Sequence, residues 1–265
     1  MGGAAGAAGG DARPEPAWGA RFLGHATFEI DLGVATVLTD PVLRPRCTFL
    51  RRISPAPTPP PSTPTVVVLS HLHHDHCDLP SLAGWGLRSV IVAPRGARRF
   101  LARQGFEEVV TLDVGESFRV GELTVTATPA RHSGRREPWG PTARAVGYLL
   151  ATPGRQLYFA GDTDLFPQME GLGRPLDVAL VPVAGWAPRL GPGHLDPARA
   201  AEAVSLLRPR VAIPMHWGSL SPVGYRPSEE TRAAPARAFA REVRRRAPDT
   251  QVRVLAPGTG RTWFR

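Results

Sequence analysis

Apolar and polar positions along this chain fall into short alternating or continuous runs rather than long helical stripes. Residues 22–31 and 34–39 alternate on either side of a turn at Gly33 and predict a hairpin, while the continuous runs 66–69 and 90–92 read as short buried strands. The second half repeats the pattern. Strands are predicted at 123–128, 145–151 and 156–160, the last two around the turn at Pro153 and Gly154, then at 178–183, 211–215 and 252–255. Between them a helix starts at Pro197, with Asp196 as its cap and Pro209 as its stop. A second helix is read from Pro235, with Arg237, Arg241, Arg244 and Arg245 opposite Phe239 and Val243. The prolines of residues 55–64 forbid helix and central strand and predict a stiff surface connection. Periodicity alone therefore establishes a mixed α/β chain.

Chemistry concentrates where these runs end. Directly after the apolar run 65–69 stands SHLHHDHCDL, with His71, His73, Asp75 and His76 inside six residues. Alternate residues of a strand share a face, so His71 and His73 are expected to converge on one point while the turn beyond brings Asp75 and His76 to a neighbouring one. Imidazole nitrogen and carboxylate oxygen suit a borderline cation such as zinc, and the donors outnumber what one open site needs, which predicts two ions. Three partners lie further on, each just past an apolar run: His132 in TPARHSG, Asp162 in FAGDTDLF and His216 in PMHWGSL. The carboxyl ends of strands are where sites gather in layered α/β folds, because a rigid sheet fixes the residues that follow.

The HxHxDH run followed by His, Asp and His resembles the metallo-β-lactamase fold superfamily of metallohydrolases. Further matches at LGHATFEI (23–30), TDP (39–41), GDT (161–163), HLDP (194–197) and HWG (216–218) are similar to the branch of ascorbate-6-phosphate lactonases and N-acyl phosphatidylethanolamine phospholipase D enzymes. The resemblance covers residues 20–225 and implies a four-layer αββα sandwich. It also implies that His71, His73 and His132 hold a first ion, that Asp75, His76 and His216 hold a second, and that Asp162 bridges them. The cofactor so implied is two zinc ions, with manganese as the alternative. The nucleophile is then a metal-bound hydroxide oriented by Asp75, and no serine or cysteine nucleophile is needed.

Other residues take secondary places in this reading. Asp40, at a strand end, is expected to accept a hydrogen bond from a ligand histidine, since metal-bound imidazoles usually donate through their other nitrogen. His25 is placed near the site without binding metal, and His74, at the variable position of the signature, is expected to be exposed. His194 in GPGHLDPAR is read as a substrate contact or proton donor, with a purely structural role as the alternative. Trp139, Trp186 and Arg189 fall in loops expected to wall the pocket, Arg189 as a partner for phosphate.

Composition narrows the setting. Residues 1–18, rich in Gly and Ala, cannot bury enough surface to order themselves and read as a tail ahead of one domain, 19–265. No charged start with an apolar run marks a secretory signal, and no stretch reaches the roughly 20 apolar residues of a membrane span, so a cytoplasmic protein is expected, with at most peripheral membrane contact. The two cysteines, Cys47 and Cys77, read as free thiols, and Cys77 as a neighbour of the site rather than a ligand. A formal charge of +9 and pI near 11.1 invite a nucleic-acid reading, but all 32 basic residues are Arg, which points to codon bias. Residues 226–265 carry 10 Arg against 4 acids, read as a solvated helix face. The expected function is hydrolysis of a phosphodiester of phospholipid type on a small-molecule or lipid substrate. A lactone or ester hydrolase is the alternative, and a nucleic-acid processing enzyme the alternative of another class.

Overall fold

The computed structural model describes residues 18–58, 62–85, 89–136, 139–173, 175–185 and 190–264. The first half of the chain forms β1 (Trp18–Gly24), β2 (Thr27–Asp31), β3 (Thr36–Thr39), β4 (Arg46–Cys47), β5 (Leu50–Arg52), β6 (Val66–Val68), α1 (Leu79–Trp85), β7 (Val90–Pro94), α2 (Arg98–Arg103) and β8 (Val109–Leu112). The second half forms β9 (Ser117–Val120), β10 (Leu123–Pro129), β11 (Val146–Thr152), β12 (Arg155–Phe159), β13 (Val178–Pro182), α3 (Pro197–Leu207), β14 (Val211–Met215), β15 (Leu220–Pro222), α4 (Glu229–Arg246), β16 (Gln251–Val252) and β17 (Thr262–Phe264). Two seven-stranded sheets result, in the orders β17-β1-β2-β3-β6-β7-β8 and β16-β14-β13-β12-β11-β10-β9, with a small third sheet β15-β5-β4.

The alternation of side chains explains why both faces of each sheet are covered. In β6, Val66 and Val68 enter the core between the two large sheets, whereas Val67 points the other way and packs with Leu82 and Leu101 of α1 and α2. Val92 of β7 likewise faces inward while Ile91 and Ala93 face outward. The inner core joins Phe22 and Phe28 of the first sheet to Tyr148 and Phe159 of the second, and it continues under α3 and α4 through Ala200, Val204, Phe239 and Val243. Each fully buried valine contributes roughly 1.5–3 kcal/mol before entropy is counted, so three in a row without a polar residue fit only a strand covered on both sides. The layers are helix, sheet, sheet, helix.

Three expectations are corrected. Residues 22–31 are not one strand: Gly24 (φ 117°) and His25 (φ 59°) adopt left-handed backbone, which breaks the run into β1 and β2 and shifts their register. Helix α4 begins at Glu229 rather than Pro235, because Ser228 Oγ accepts from Thr231 N and the acidic Glu229 and Glu230 suit a helix start. Burial of Ala236, Phe239 and Val243 offsets the amide hydrogen that Pro235 lacks. Trp18, assigned to the tail, opens β1 and is buried against β17. The cap of α3 is as expected, Asp196 accepting from Arg199 N at 2.8 Å. Arg237, Arg241, Arg244 and Arg245 are exposed as a solvated face. Of the proline-rich connection, residues 59–61 lie outside the described residues.

Strands β3, β6, β7 and β8 run parallel, as do β12, β13, β14 and β16. Their carboxyl ends deliver Asp40, the 70–78 loop, Asp162, the Val183–Gly185 segment and His216. Both thiols adjoin that convergence, Cys77 inside the 70–78 loop and Cys47 with Sγ on the His74 carbonyl, but neither joins the candidate ligand groups among the described residues. Cys77 packs in the outer core, and burial pushes both Cys47 and Cys77 up to about 12, with Asp78 and Asp75 adding to the effect at Cys47. Thiol reagents attack the thiolate, so at pH 8 the native chain should label at neither cysteine and the unfolded chain at both. Rapid modification of either thiol in the native state would contradict this packing.

Candidate metal centre

Four of the cluster histidines, His71, His76, His132 and His216, are each fixed by a hydrogen bond through the nitrogen that faces away from the centre. His76 Nδ1 donates to Asp40 Oδ2 (2.7 Å), His132 Nδ1 to the Gly193 carbonyl (2.9 Å) and His216 Nδ1 to the Ala184 carbonyl (2.7 Å). Ser70 completes the set: its hydroxyl donates to Asp40 Oδ2 (2.5 Å) and accepts from His71 Nδ1 (2.9 Å), while its amide donates to Asp40 Oδ1 (2.7 Å). With the proton assigned to the outer nitrogen, Nε2 of all four rings presents a lone pair inward. Asp40 thus accepts from a histidine of the cluster, His76. Asp40, His25 and His216 adopt positive φ, a strain of about 1–2 kcal/mol each that the surrounding sheet ends sustain.

The inward atoms form two neighbouring sets. On one side His73 Nδ1 lies 2.9 Å from His71 Nε2 and 3.1 Å from His132 Nε2. On the other, His76 Nε2 lies 3.2 Å from His216 Nε2, and Asp162 Oδ2 stands 3.2 Å from both. Asp75 Oδ2 lies 4.0 Å from His76 Nε2 and accepts from His25 Nε2 at 3.0 Å. The structure therefore gathers His25, Asp75, His76 and His216 into one candidate group and His71, His73 and His132 into another, with Asp162 beside His132 and His194.

This donor set fits metal cations. Imidazole lone pairs turned toward one another at about 3 Å repel unless a cation lies among them, and about 3.3 Å is the edge of a tetrahedron with Zn–N of 2.0–2.1 Å. Asp162 Oδ1 is buried without a hydrogen-bond partner, an orphan that a cation would satisfy. The ionisation states agree. Burial holds His71 well below the ordinary histidine value, takes His132 to about 4 and, helped by His216, takes His25 to about 3. Burial pushes Asp162 up, but facing His216 and His76 outweigh it and keep the carboxyl well below its usual range. His76 is the exception, because Asp162 and Asp40 overcome burial and raise it; a metal ion competes with that proton for the same Nε2.

A cleft of about 350 Å³ opens over the centre, lined by Phe49, Leu50, Leu190 and Arg136 together with His73, Asp75, Asp162 and His194. His194 lines this cleft with Nε2 3.3 Å from Asp162 Oδ2, and it forms a candidate group with His132 and Asp162. Other expectations are corrected. His71 and His73 lie past the end of β6, so loop geometry rather than strand alternation brings them together. His74 is half-buried and accepts from Arg136 Nη2 at 2.9 Å. Trp139 is 97 % exposed at the tip of a small turn closed by the Arg135–Thr142 bridge, away from the cleft lining. Trp186 and Arg189 lie outside the described residues.

Two structural residues of the site escape sequence reading. Arg136 Nη1 donates to the carbonyls of Leu72 (2.7 Å) and Cys77 (2.9 Å) and so clamps both ends of the metal loop. Arg52 is buried in β5 and donates to the carbonyls of Leu23, Val42 and Arg44, and burial lowers it to about 10. It fastens the β4–β5 turn, whose tip carries Phe49 over the cleft. Gly161 (φ 58°) permits the closest approach in the centre, since a Cβ there would meet Ser70 Cβ at 2.5 Å.

With this geometry in view, comparison with known proteins is specific. A family model described as "Beta-lactamase superfamily domain" matches residues 35–217. A UPF0173 metal-dependent hydrolase of Methanopyrus kandleri is 32 % identical over 251 residues, which is 89 % of this chain and 96 % of that protein. N-acyl-phosphatidylethanolamine-hydrolyzing phospholipase D 1 of Caenorhabditis elegans is 31 % identical over 227 residues, covering 76 % of this chain and 64 % of that protein. Among solved structures, the metallo hydrolase Igni18 of Ignicoccus hospitalis superposes with a TM-score of 0.71 at 25 % identity, covering 94 % of this chain and 99 % of that one. The matched span contains all seven expected ligands inside a continuous αββα frame and ends one residue after the last of them, His216, and on these grounds the chain belongs to the metallo-β-lactamase superfamily of metal-dependent hydrolases.

Proposed function

We propose that the chain is a dinuclear hydrolase of phosphodiesters, with His71, His73 and His132 holding one ion, Asp75, His76 and His216 the other, and Asp162 bridging. Asp162 is the observation that carries it: one oxygen faces His76 and His216 at 3.2 Å, and the other is buried without a partner. Zinc, or manganese in its place, supplies an acidified water of pKa about 7 and a Lewis acid for the substrate oxygen. The chain's own groups do the rest. Asp75, held by His25 at 3.0 Å, orients the attacking water, and His194 protonates the leaving group. Phe49, Leu50 and Leu190 exclude water and offer an apolar wall to an acyl chain, in keeping with the lipid named for the nematode relative.

A second reading, hydrolysis of a lactone or ester, is favoured by one contact set. Arg136 spends its guanidinium on Leu72, Cys77 and His74 and is not offered to a phosphate oxygen. A panel of phosphodiesters and lactones separates the two. The zinc-loaded chain should cleave bis(4-nitrophenyl) phosphate and N-acyl phosphatidylethanolamine and lose that turnover to a chelator. Turnover of lactones alone selects the second reading, and turnover of neither class rejects hydrolysis. Elemental analysis after zinc or manganese loading should find two ions per chain, since seven donors exceed one tetrahedral site. A ceiling of one ion removes the dinuclear mechanism.

A further inference from the structure

Behind His216 lies a second cleft, of about 390 Å³, that shares Gly185 and Leu190 with the cleft over the metal centre. It adjoins the centre directly. Ala184, whose carbonyl takes the His216 Nδ1 proton, is on its wall, and a Cβ placed on Gly218 would stand 3.6 Å from the Arg232 carbonyl. Trp217, Leu220 and Tyr225 make the remaining wall apolar.

Arg232 is the one cation on this wall among the described residues. Its Nη1 donates to the Ile53 carbonyl at 2.5 Å, and its Nε is buried with no partner. Some arginines of the chain find acids, as Arg44 meets Asp78, Arg199 meets Asp164 and Arg261 meets Glu29, and others such as Arg52 and Arg136 spread over several carbonyls. Arg232 has no such pair among the described residues. A buried guanidinium N–H left unsatisfied is uncommon, and the Nε/Nη2 edge is the fork that grips a carboxylate or phosphate with two parallel bonds. The first turns of α3 and α4 also border the cleft, through Pro197 and through Thr231, but Asp196 caps the one and Glu229 and Glu230 open the other, so Arg232 is the source of positive charge here. Asp196 stands on the same wall and already caps α3, which disfavours a polyanion and limits the ligand to one oxyanionic group.

We infer that this cleft is a second substrate subsite beside the metal centre, in which Arg232 binds a single oxyanionic group, carboxylate or phosphate, carried on an apolar body that packs on Trp217, Leu220 and Tyr225. The inference rests on the hydrolase reading and extends it to substrates carrying a second acidic group beyond the bond that is cut.

Calorimetry on the zinc-loaded chain tests it with three probes: 4-phenylbutyrate, phenylphosphonate and the neutral 4-phenylbutanamide. The anions should bind and the amide should not. Arg232→Gln should weaken the anions by about ten-fold or more with zinc content unchanged, and Arg232→Lys should recover part of the affinity. If both anions lose affinity the oxyanion is shared chemistry; if only one does, that one names the group. Thr231→Trp, at an exposed position on the rim, narrows the cleft without touching Arg232 or the centre and should exclude the same probes. Anion affinity unchanged in both Arg232→Gln and Thr231→Trp would put the probes on the metal ions and overturn the subsite. The two readings fail separately, because Arg232-dependent binding without turnover of any ester or phosphodiester keeps the site and rejects the hydrolase, and the converse result does the opposite.

Discussion

Asp162→Ala should lose hydrolysis by about a thousand-fold or more and lose a metal ion with it. In rate terms that is roughly 4 kcal/mol of transition-state stabilisation, the scale expected when a group binding both halves of a site is removed. Asp162 is fully enclosed at the end of β12, opposite the 70–78 loop, and Oδ2 faces His76, His216 and His194 at 3.2–3.3 Å. Removing its charge leaves Asp75 and Asp40 as the carboxylates beside the cluster histidines, and Asp40 is committed to Ser70 and His76. A second dication then lacks the anion that would hold it near the first. Asp162→Asn separates shape from charge, since it keeps the volume and one acceptor and should fall close to the alanine variant. Elemental analysis and turnover on bis(4-nitrophenyl) phosphate read both effects. Full turnover in either variant, or two ions retained in both, would remove Asp162 from the bridging position.

Much of this centre was legible before the fold, for a physical reason. Candidate metal ligands come from few residue types, His, Cys, Asp and Glu, and strand ends are marked by apolar runs, so His132, Asp162 and His216 stand out although the chain brings them to His71 from far away. Val211–Met215 appears at its predicted bounds because five buried residues leave no ambiguity of period. What alternation could not reveal depends on backbone sign or on remote partners. The break between β1 and β2 comes from positive φ at Gly24 and His25, which leaves the apolar pattern of 22–31 intact. β17 exists only because Trp18, Gly19 and Ala20 pair with it from the other end of the chain. Arg136 escaped because its partners are carbonyls 59 and 64 residues away, and carbonyls carry no sequence signature.

His194→Ala should keep its metal content and lose about 100-fold in turnover, the usual worth of a positioned general acid. The ring lines the cleft, its Nδ1 faces the carbonyls of Gly191 and Pro192 at 3.1 and 3.2 Å, and its Nε2 faces Asp162. Burial works against a charged ring, but the Asp162 carboxylate outweighs it and holds His194 above the ordinary histidine value. A histidine raised in this way is protonated below its pKa and loses the proton as pH rises through it, so an acid role predicts that turnover falls on the basic side of neutrality. The alanine variant should lack that basic limb while retaining the acidic one, which belongs to the groups that orient water. Because His194 also stands beside His132 and Asp162 as a candidate ligand trio, metal content decides between the roles. Loss of an ion makes His194 a ligand, an unchanged pH profile makes it structural, and only the combination of intact metal, slower turnover and a missing basic limb assigns it the proton.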